Sequence, residues 1–123
     1  MLVVDTYLKE IKGKGIGLVS NEFIKKGQVV WTFNPIVDIK INEKDIPKIA
    51  KKFFDKYAVD NGNNKLYLNT DNARFINHSK NPNLKSLGIF KDNITLRDIF
   101  FGEELTIDYS TIDINKIDFQ VIE

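Results

Sequence analysis

The chain contains no cysteine. Disulfides are excluded, and so is any zinc cluster built from thiolates. It contains one histidine, His78, so no second imidazole can join it on a metal ion, and no metal is expected. An excess of charge of either sign is missing too: 18 Lys and Arg stand against 17 Asp and Glu, for a formal net charge of +1. That balance removes the electrostatic basis for wholesale binding to nucleic acid or membrane, and neither partner is expected. No apolar run approaches the roughly 20 residues of a transmembrane helix. The opening "MLVVDTYLKEIKGKG" also lacks the long apolar stretch of a signal peptide. The expected location is intracellular, in cytoplasm or nucleus.

The 123 residues make a single domain of ordinary size, and an apolar fraction of 42% is enough for a core. Most apolar residues fall in short β-branched or aromatic runs between turn residues, the pattern of strands. The runs are "LVVDTYLK", "GIGLVS", "QVVWTF", "DIKIN", "LYLN", "ARFIN", "SLGIF", "ITLRDI" and "ELTIDY". Strands this short and numerous predict several small curved sheets rather than a βαβ array. One helix interrupts them. Ile46, Ile49, Ala50, Phe53, Phe54 and Tyr57 recur at helical spacing, which predicts a helix over about 45–57 with one apolar face. Asp45 is placed to cap it, Pro47 is tolerated in its first turn, and "DNGNN" ends it. The fold class is mainly β with one inserted helix.

Three segments carry candidate chemistry. In "KGIGLVS", Gly15 and Gly17 leave the backbone bare enough for close approach of a ligand. A dinucleotide fold would need a third glycine near position 20 and a helix after it; Ser20 and the strand-like "QVVWTF" stand there instead. In "ARFINHSKNPN" an apolar triplet runs into Asn77, His78 and Ser79, which suggests a strand ending in a polar pocket. Ser79 and His78 make a poor nucleophilic pair, because sequence neighbours rarely turn their side chains toward each other. "GEELTIDYS" reads on its own as a turn and a strand ending in a half-buried tyrosine. Each segment alone is more simply a turn or a core strand.

Together, in this order and spacing, they resemble the SET-domain family of protein lysine methyltransferases. "KGIGLVSNEFIKKGQVV" is similar to the family's "GxGLFA…I.KG..V", "ARFINHSKNPN" to its "ARFINHSC.PN", and "GEELTIDYS" to its "GEELT.DY". The resemblance covers a catalytic core over about 12–110 of a single domain, 1–123. It makes 36–70 the family's variable insert, with the helix inside it, and 111–123 a tail. It implies a fold of several small sheets with a C-terminal pseudoknot, in which the chain end threads a loop and lies beside the "NHS" segment. The cofactor it implies is S-adenosylmethionine, and the reaction is methyl transfer to the ε-amine of a lysine in a protein. A histone is the first candidate substrate, and a non-histone target stays open.

By matched position, Lys14, Gly15, Ile16 and Gly17 would contact the cofactor, together with Arg74, Asn77 and His78 and with Tyr57 of the insert. Tyr109 would be the active-site tyrosine. Phe33, Phe75 and Ile107 would wall the lysine channel. Asp108 alternates away from Tyr109 along a strand and reads as structural. The chain departs from the family at Lys80, where many members have cysteine, and at Phe33, where many have tyrosine. Ile107 occupies a position, often Phe or Tyr, that influences how many methyl groups are added. The chain also has none of the cysteines with which many members build zinc segments beside the core.

The tail "TIDINKIDFQVIE" alternates at Ile112 and Ile114 and again at Ile117, Phe119 and Val121. A strand is expected there, paired to a sheet edge, with Phe119 completing the channel. It would dock within one chain or on a second copy in a two-fold homodimer; the simpler alternative is that it completes the core. Two other functions compete with the enzyme: a catalytically weak SET-like module that binds protein, and a small β-barrel that binds nucleic acid. The near-neutral charge weighs against the second.

Overall fold

The computed structural model describes residues 1–60, 65–88 and 90–112. In chain order its elements begin with β1 (Thr6–Ile11), β2 (Gly15–Ser20), β3 (Val29–Trp31), β4 (Asp38–Asn42) and α1 (Lys51–Tyr57). They continue with β5 (Val59–Asp60), β6 (Lys65–Asn69), β7 (Asn77–His78), β8 (Leu84–Ser86), β9 (Asn93–Thr95) and β10 (Thr106–Ile107). β1 and β2 form an antiparallel hairpin with Leu8 opposite Leu18. A second sheet has the order β3-β9-β8 and a third β4-β6-β5. β7 and β10 pair in parallel, Asn77 opposite Thr106 and His78 opposite Ile107.

This is the mainly β architecture of several small sheets that the short apolar runs predict. The parallel pair lays the third segment directly against the second. Where the sheets meet, Leu18, Ile24, Val30, Leu84, Ile99 and Leu105 have lost all or nearly all contact with solvent. At roughly 1.5–3 kcal/mol for each fully buried large apolar side chain, this cluster is the main source of stability. It also fixes β2 and the approach to β10. Among the described residues, no helix is long and apolar enough to cross a membrane.

Three local expectations are corrected. "ARFIN" is not a strand: Asn72–Phe75 is a 3-10 turn. Asp71 Oδ1 accepts the Ala73 N–H at 3.1 Å, and its Oδ2 accepts the Leu2 N–H at 2.8 Å. This cap starts a turn that the apolar run alone does not announce. "SLGIF" pairs only at its start, because the chain turns with Gly88 at φ +138° and Phe90 at +58°. The helix is shorter than 45–57. α1 begins at Lys51 and is preceded by two 3-10 turns, Glu43–Asp45 and Lys48–Ala50. Pro47 is the cause: it pushes Ile46 into extended backbone, so Asp45 cannot cap a continuous helix. The apolar face is also less covered than the spacing suggests, since no α1 residue is buried and Ile49 is 96% exposed.

Candidate active site

The three sequence segments converge. Backbone joins β2 to the third segment, with the Leu105 N–H donating to the Leu18 carbonyl at 2.8 Å and the Ser20 N–H to the Glu103 carbonyl at 2.9 Å. The second asparagine of "NPN" locks the arrangement. Asn83 is 2% exposed, donates through Nδ2 to the Glu104 carbonyl at 2.8 Å, and accepts the Thr106 N–H on Oδ1 at 2.8 Å. An asparagine amide supplies a donor and an acceptor side by side, so it braces a neighbouring strand as another strand would.

At the edge of this junction lies a polar cluster. Asn77 Nδ2 donates to Glu104 Oε2 at 2.7 Å and to the Ile16 carbonyl at 3.3 Å. Lys14 Nζ pairs with Glu104 Oε1 at 3.3 Å. Close packing accounts for the second glycine of "GIG", Gly17. A Cβ there would stand 2.5 Å from Ile11 Cγ1, 2.7 Å from Glu104 Oε2 and 3.0 Å from Asn77 Nδ2. Gly15 has the opposite reason. It is exposed at φ +87°, with nothing within 4 Å of where a side chain would begin.

Beside this cluster, in the same junction, Tyr109 opens a 3-10 turn, Tyr109–Thr111, capped by Asp108, whose Oδ1 accepts the Ser110 N–H at 3.0 Å. That cap is the structural role expected of Asp108. The Tyr109 hydroxyl donates to the Ile76 carbonyl at 2.6 Å, and its backbone N–H donates to His78 Nδ1 at 3.1 Å. With Nδ1 serving as an acceptor, the 3.8 Å approach of Asp108 to the same nitrogen is not an ion pair in that tautomer. Burial, and secondarily the negative charge of Glu104, push the Tyr109 phenol up to about 12. The phenol is therefore protonated at neutral pH, a hydrogen-bonding group and not a base.

Tyr109 lines a small cleft, about 60 Å³, with Trp31, Tyr57, Tyr67, Asn69 and Ile107 among its other walls. The rings of Trp31 and Tyr67 stack with centroids 6.2 Å apart. So narrow a cleft suits an unbranched side chain.

The sequence-matched residues divide between the two places. Lys14, Ile16, Gly17 and Asn77 meet in the polar cluster; Tyr57, Arg74, Ile107 and Tyr109 line the cleft. His78 links them, its ring centroid 5.3 Å from that of Tyr109. Phe75 packs edge-on against Tyr57 at 5.8 Å, with the Arg74 guanidinium 4.7 Å over its ring. Phe33 stands behind the cleft, against Trp31 and Tyr67, with the Lys40 ammonium 5.3 Å from its ring. Neither Phe33 nor Phe75 is in the cleft wall. Phe119 lies outside the described residues. Trp31, Tyr67, Asn69 and Glu104 are neighbours of the matched residues that sequence reading missed. One signal was available: alternation along "LYLN" puts Tyr67 and Asn69 on one face.

Small antiparallel sheets joined by a parallel pair, with a half-buried tyrosine just past the pair's end, define the class of domain. The SET domain pattern matches residues 15–110, and the chain belongs to the SET-domain family of protein lysine methyltransferases. Solved structures share the fold. A protein described as a histone methyltransferase of Plasmodium falciparum matches with a TM-score of 0.61 at 22% identity, over 86% of this chain and 93% of that one. A chain of an active polycomb repressive complex 2 matches with a TM-score of 0.66 at 18% identity, over 86% of this chain and 15% of that one. No curated protein sequence matches the chain.

Proposed function

We propose that this domain transfers a methyl group from S-adenosylmethionine to the ε-amine of a lysine in a protein, with a histone as the first candidate. The observation that carries the reading is a protonated tyrosine, Tyr109, set by Ile76 and His78 at the wall of a narrow aromatic cleft beside an exposed glycine edge.

The residues present fit the cofactor. Gly15 leaves open backbone, Asn77 and Glu104 offer an amide and a carboxylate to its ammonium, and Lys14 and Arg74 offer cations to its carboxylate. Tyr57 and Phe75 present ring faces suited to a base. Bound there, S-adenosylmethionine supplies a methyl on a sulfonium: the N–C bond forms as the S–C bond breaks, sulfur leaves as a neutral thioether with the bonding pair, and a proton passes from the amine to solvent.

The chain's own task is the nucleophile. A lysine with a pKa of about 10.4 must present its neutral amine, which costs roughly 4–5 kcal/mol at pH 7. A cleft walled by Trp31, Tyr67 and Ile107 disfavours the ammonium by desolvation. The Tyr109 hydroxyl, donating to Ile76, turns its oxygen toward the amine as an acceptor and orients the lone pair. Orientation in such a site accounts for much of the acceleration. Phe119 is proposed to complete the channel, and Phe119→Ala should then lower transfer while leaving the melting temperature nearly unchanged.

The test is transfer from methyl-labelled cofactor to core histones and to a cell extract, with mass spectrometry of the labelled band. Methyl-lysine in the product is the expected result. Cofactor binding by calorimetry without any transfer would instead leave a protein-binding module, and no binding by a folded sample would reject the reading.

A further inference from the structure

Two residues that line the cleft each carry a buried polar atom without a partner. Trp31 is 3% exposed, yet its Nε1–H has no hydrogen-bond partner among the described residues. Asn69 Oδ1 is shielded from solvent and has none either. Both residues line the cleft that Tyr109 lines. An unmade hydrogen bond at a buried donor or acceptor costs about 1–3 kcal/mol, and such atoms are uncommon enough to need a cause. Here there are two, a donor and an acceptor, on residues that line one small cavity. Core packing explains neither. An apolar residue would serve at position 69 if the wall only had to be filled, and the register of β6 on β4 does not require an amide side chain there.

We propose that Asn69 is a specificity-determining residue of the lysine site: its Oδ1 accepts an N–H of the substrate amine. The inference rests on the lysine-methyltransferase reading above. An amine donates N–H and so satisfies Asn69 directly. The Trp31 Nε1–H presents the positive end of a dipole to the same cavity. That disfavours the ammonium and favours the neutral amine. The arrangement has a consequence for product number. Each transfer replaces one N–H with one N–CH3, and the proton leaves to solvent. The amine of a dimethylated lysine, once neutral, has no N–H left. The third transfer therefore forgoes the Asn69 bond, while the first two keep it. Ile107, which lines the same cleft, has no polar side-chain atom with which to add a contact of its own. Counting of methyl groups then falls to Asn69.

Two readouts test this, and Trp31 makes one of them simple, because it is the only tryptophan in the chain. Its indole N–H gives a single resonance. With the demethylated cofactor bound, titration of Nα-acetyl-lysine methylamide should move that resonance. The trimethyl-lysine and norleucine analogues should move it much less, and Asn69→Leu should erase the difference. In the second readout, Asn69→Leu should raise the ratio of trimethyl to dimethyl product on histones by roughly three- to tenfold, the equivalent of one hydrogen bond. Asn69→Asp keeps an acceptor and should keep the wild-type ratio, which guards against a loss due only to misfolding.

Equal indole shifts from all three analogues would mean that the orphan atoms hold solvent alone and would overturn the proposal. An unchanged product ratio in a folded, active Asn69→Leu would do the same and leave the methyltransferase reading standing. Absence of transfer by the wild type would instead strike that reading itself.

Discussion

The two halves of this domain are built on different terms. The strands that carry the three sequence segments hold the core: Leu18, Leu105 and Ile107 are all buried, and so is Asn83, which ties them together. The insert between β3 and β7 contributes Leu66, Val59 and Ala58 to the interior, but its helix has no buried residue. Ile36, Ile49 and Phe53 face solvent there. The difference separates rigid chemistry from adjustable surface. Tyr109, the proposed active-site tyrosine, follows the buried strand β10 by two residues. The insert lends Tyr57, Tyr67 and Asn69 to the cleft from a lighter scaffold.

Mutations should expose that contrast, beginning with the largest effect. Leu105→Ala removes a fully buried side chain from the motif-bearing half and should cost about 2–5 kcal/mol by denaturant unfolding. A cost under 1 kcal/mol would show that this half is not the core. Gly17→Ala forces a methyl against Ile11, Glu104 and Asn77, and overpacking of this kind should cost about 1–3 kcal/mol and weaken cofactor binding. Gly15→Ala is the control: it has open space and meets only its backbone strain. Equal effects from the two glycines would remove the packing argument.

An alkaline titration probes the same half. The Tyr109 phenol is raised in the folded state from 10.0 to about 12. The folded protein therefore holds this proton more tightly than the unfolded chain does, and the stability linked to it is fully present below pH 10 and falls as pH rises toward 12. At about 1.4 kcal/mol per unit the loss is on the order of 3 kcal/mol. Tyr109→Phe should flatten that part of the profile. The smallest effect belongs to the insert: Ile49→Ser, on a side chain already in solvent, should change stability by no more than about 0.5 kcal/mol. A larger loss would mean that the helix face is covered.

How much of this was legible in sequence follows the same division. In the motif-bearing half, the reading of "GIGLVS" as a strand matches β2 residue for residue: turn residues bound the short run, and its last four residues are all buried. The insert misled. The helical spacing from Ile46 to Tyr57 is real, but Pro47 breaks the backbone that the spacing assumes, and none of the side chains it aligns is fully buried. "ARFIN" misled for a different reason, since a side-chain cap at Asp71 overrode an apolar run. The polar cluster was partly legible from matched motifs, but Glu104 was not singled out, because only the fold brings it to Asn77. The cleft walls were the least legible. Alternation along "LYLN" puts Tyr67 and Asn69 of β6 on one face, but no local pattern brings Trp31 of β3 to them.

The central claim is that Tyr109 works through its hydroxyl on the reacting amine and not through its ring on the cofactor. The most direct measurement compares wild type with Tyr109→Phe in one experiment, recording cofactor affinity by calorimetry and methyl transfer to core histones from the same preparations. The account predicts cofactor affinity within about twofold and transfer lowered by about 100-fold or more, the scale of losing one well-placed catalytic hydrogen bond. Near-normal transfer by the folded variant would contradict it.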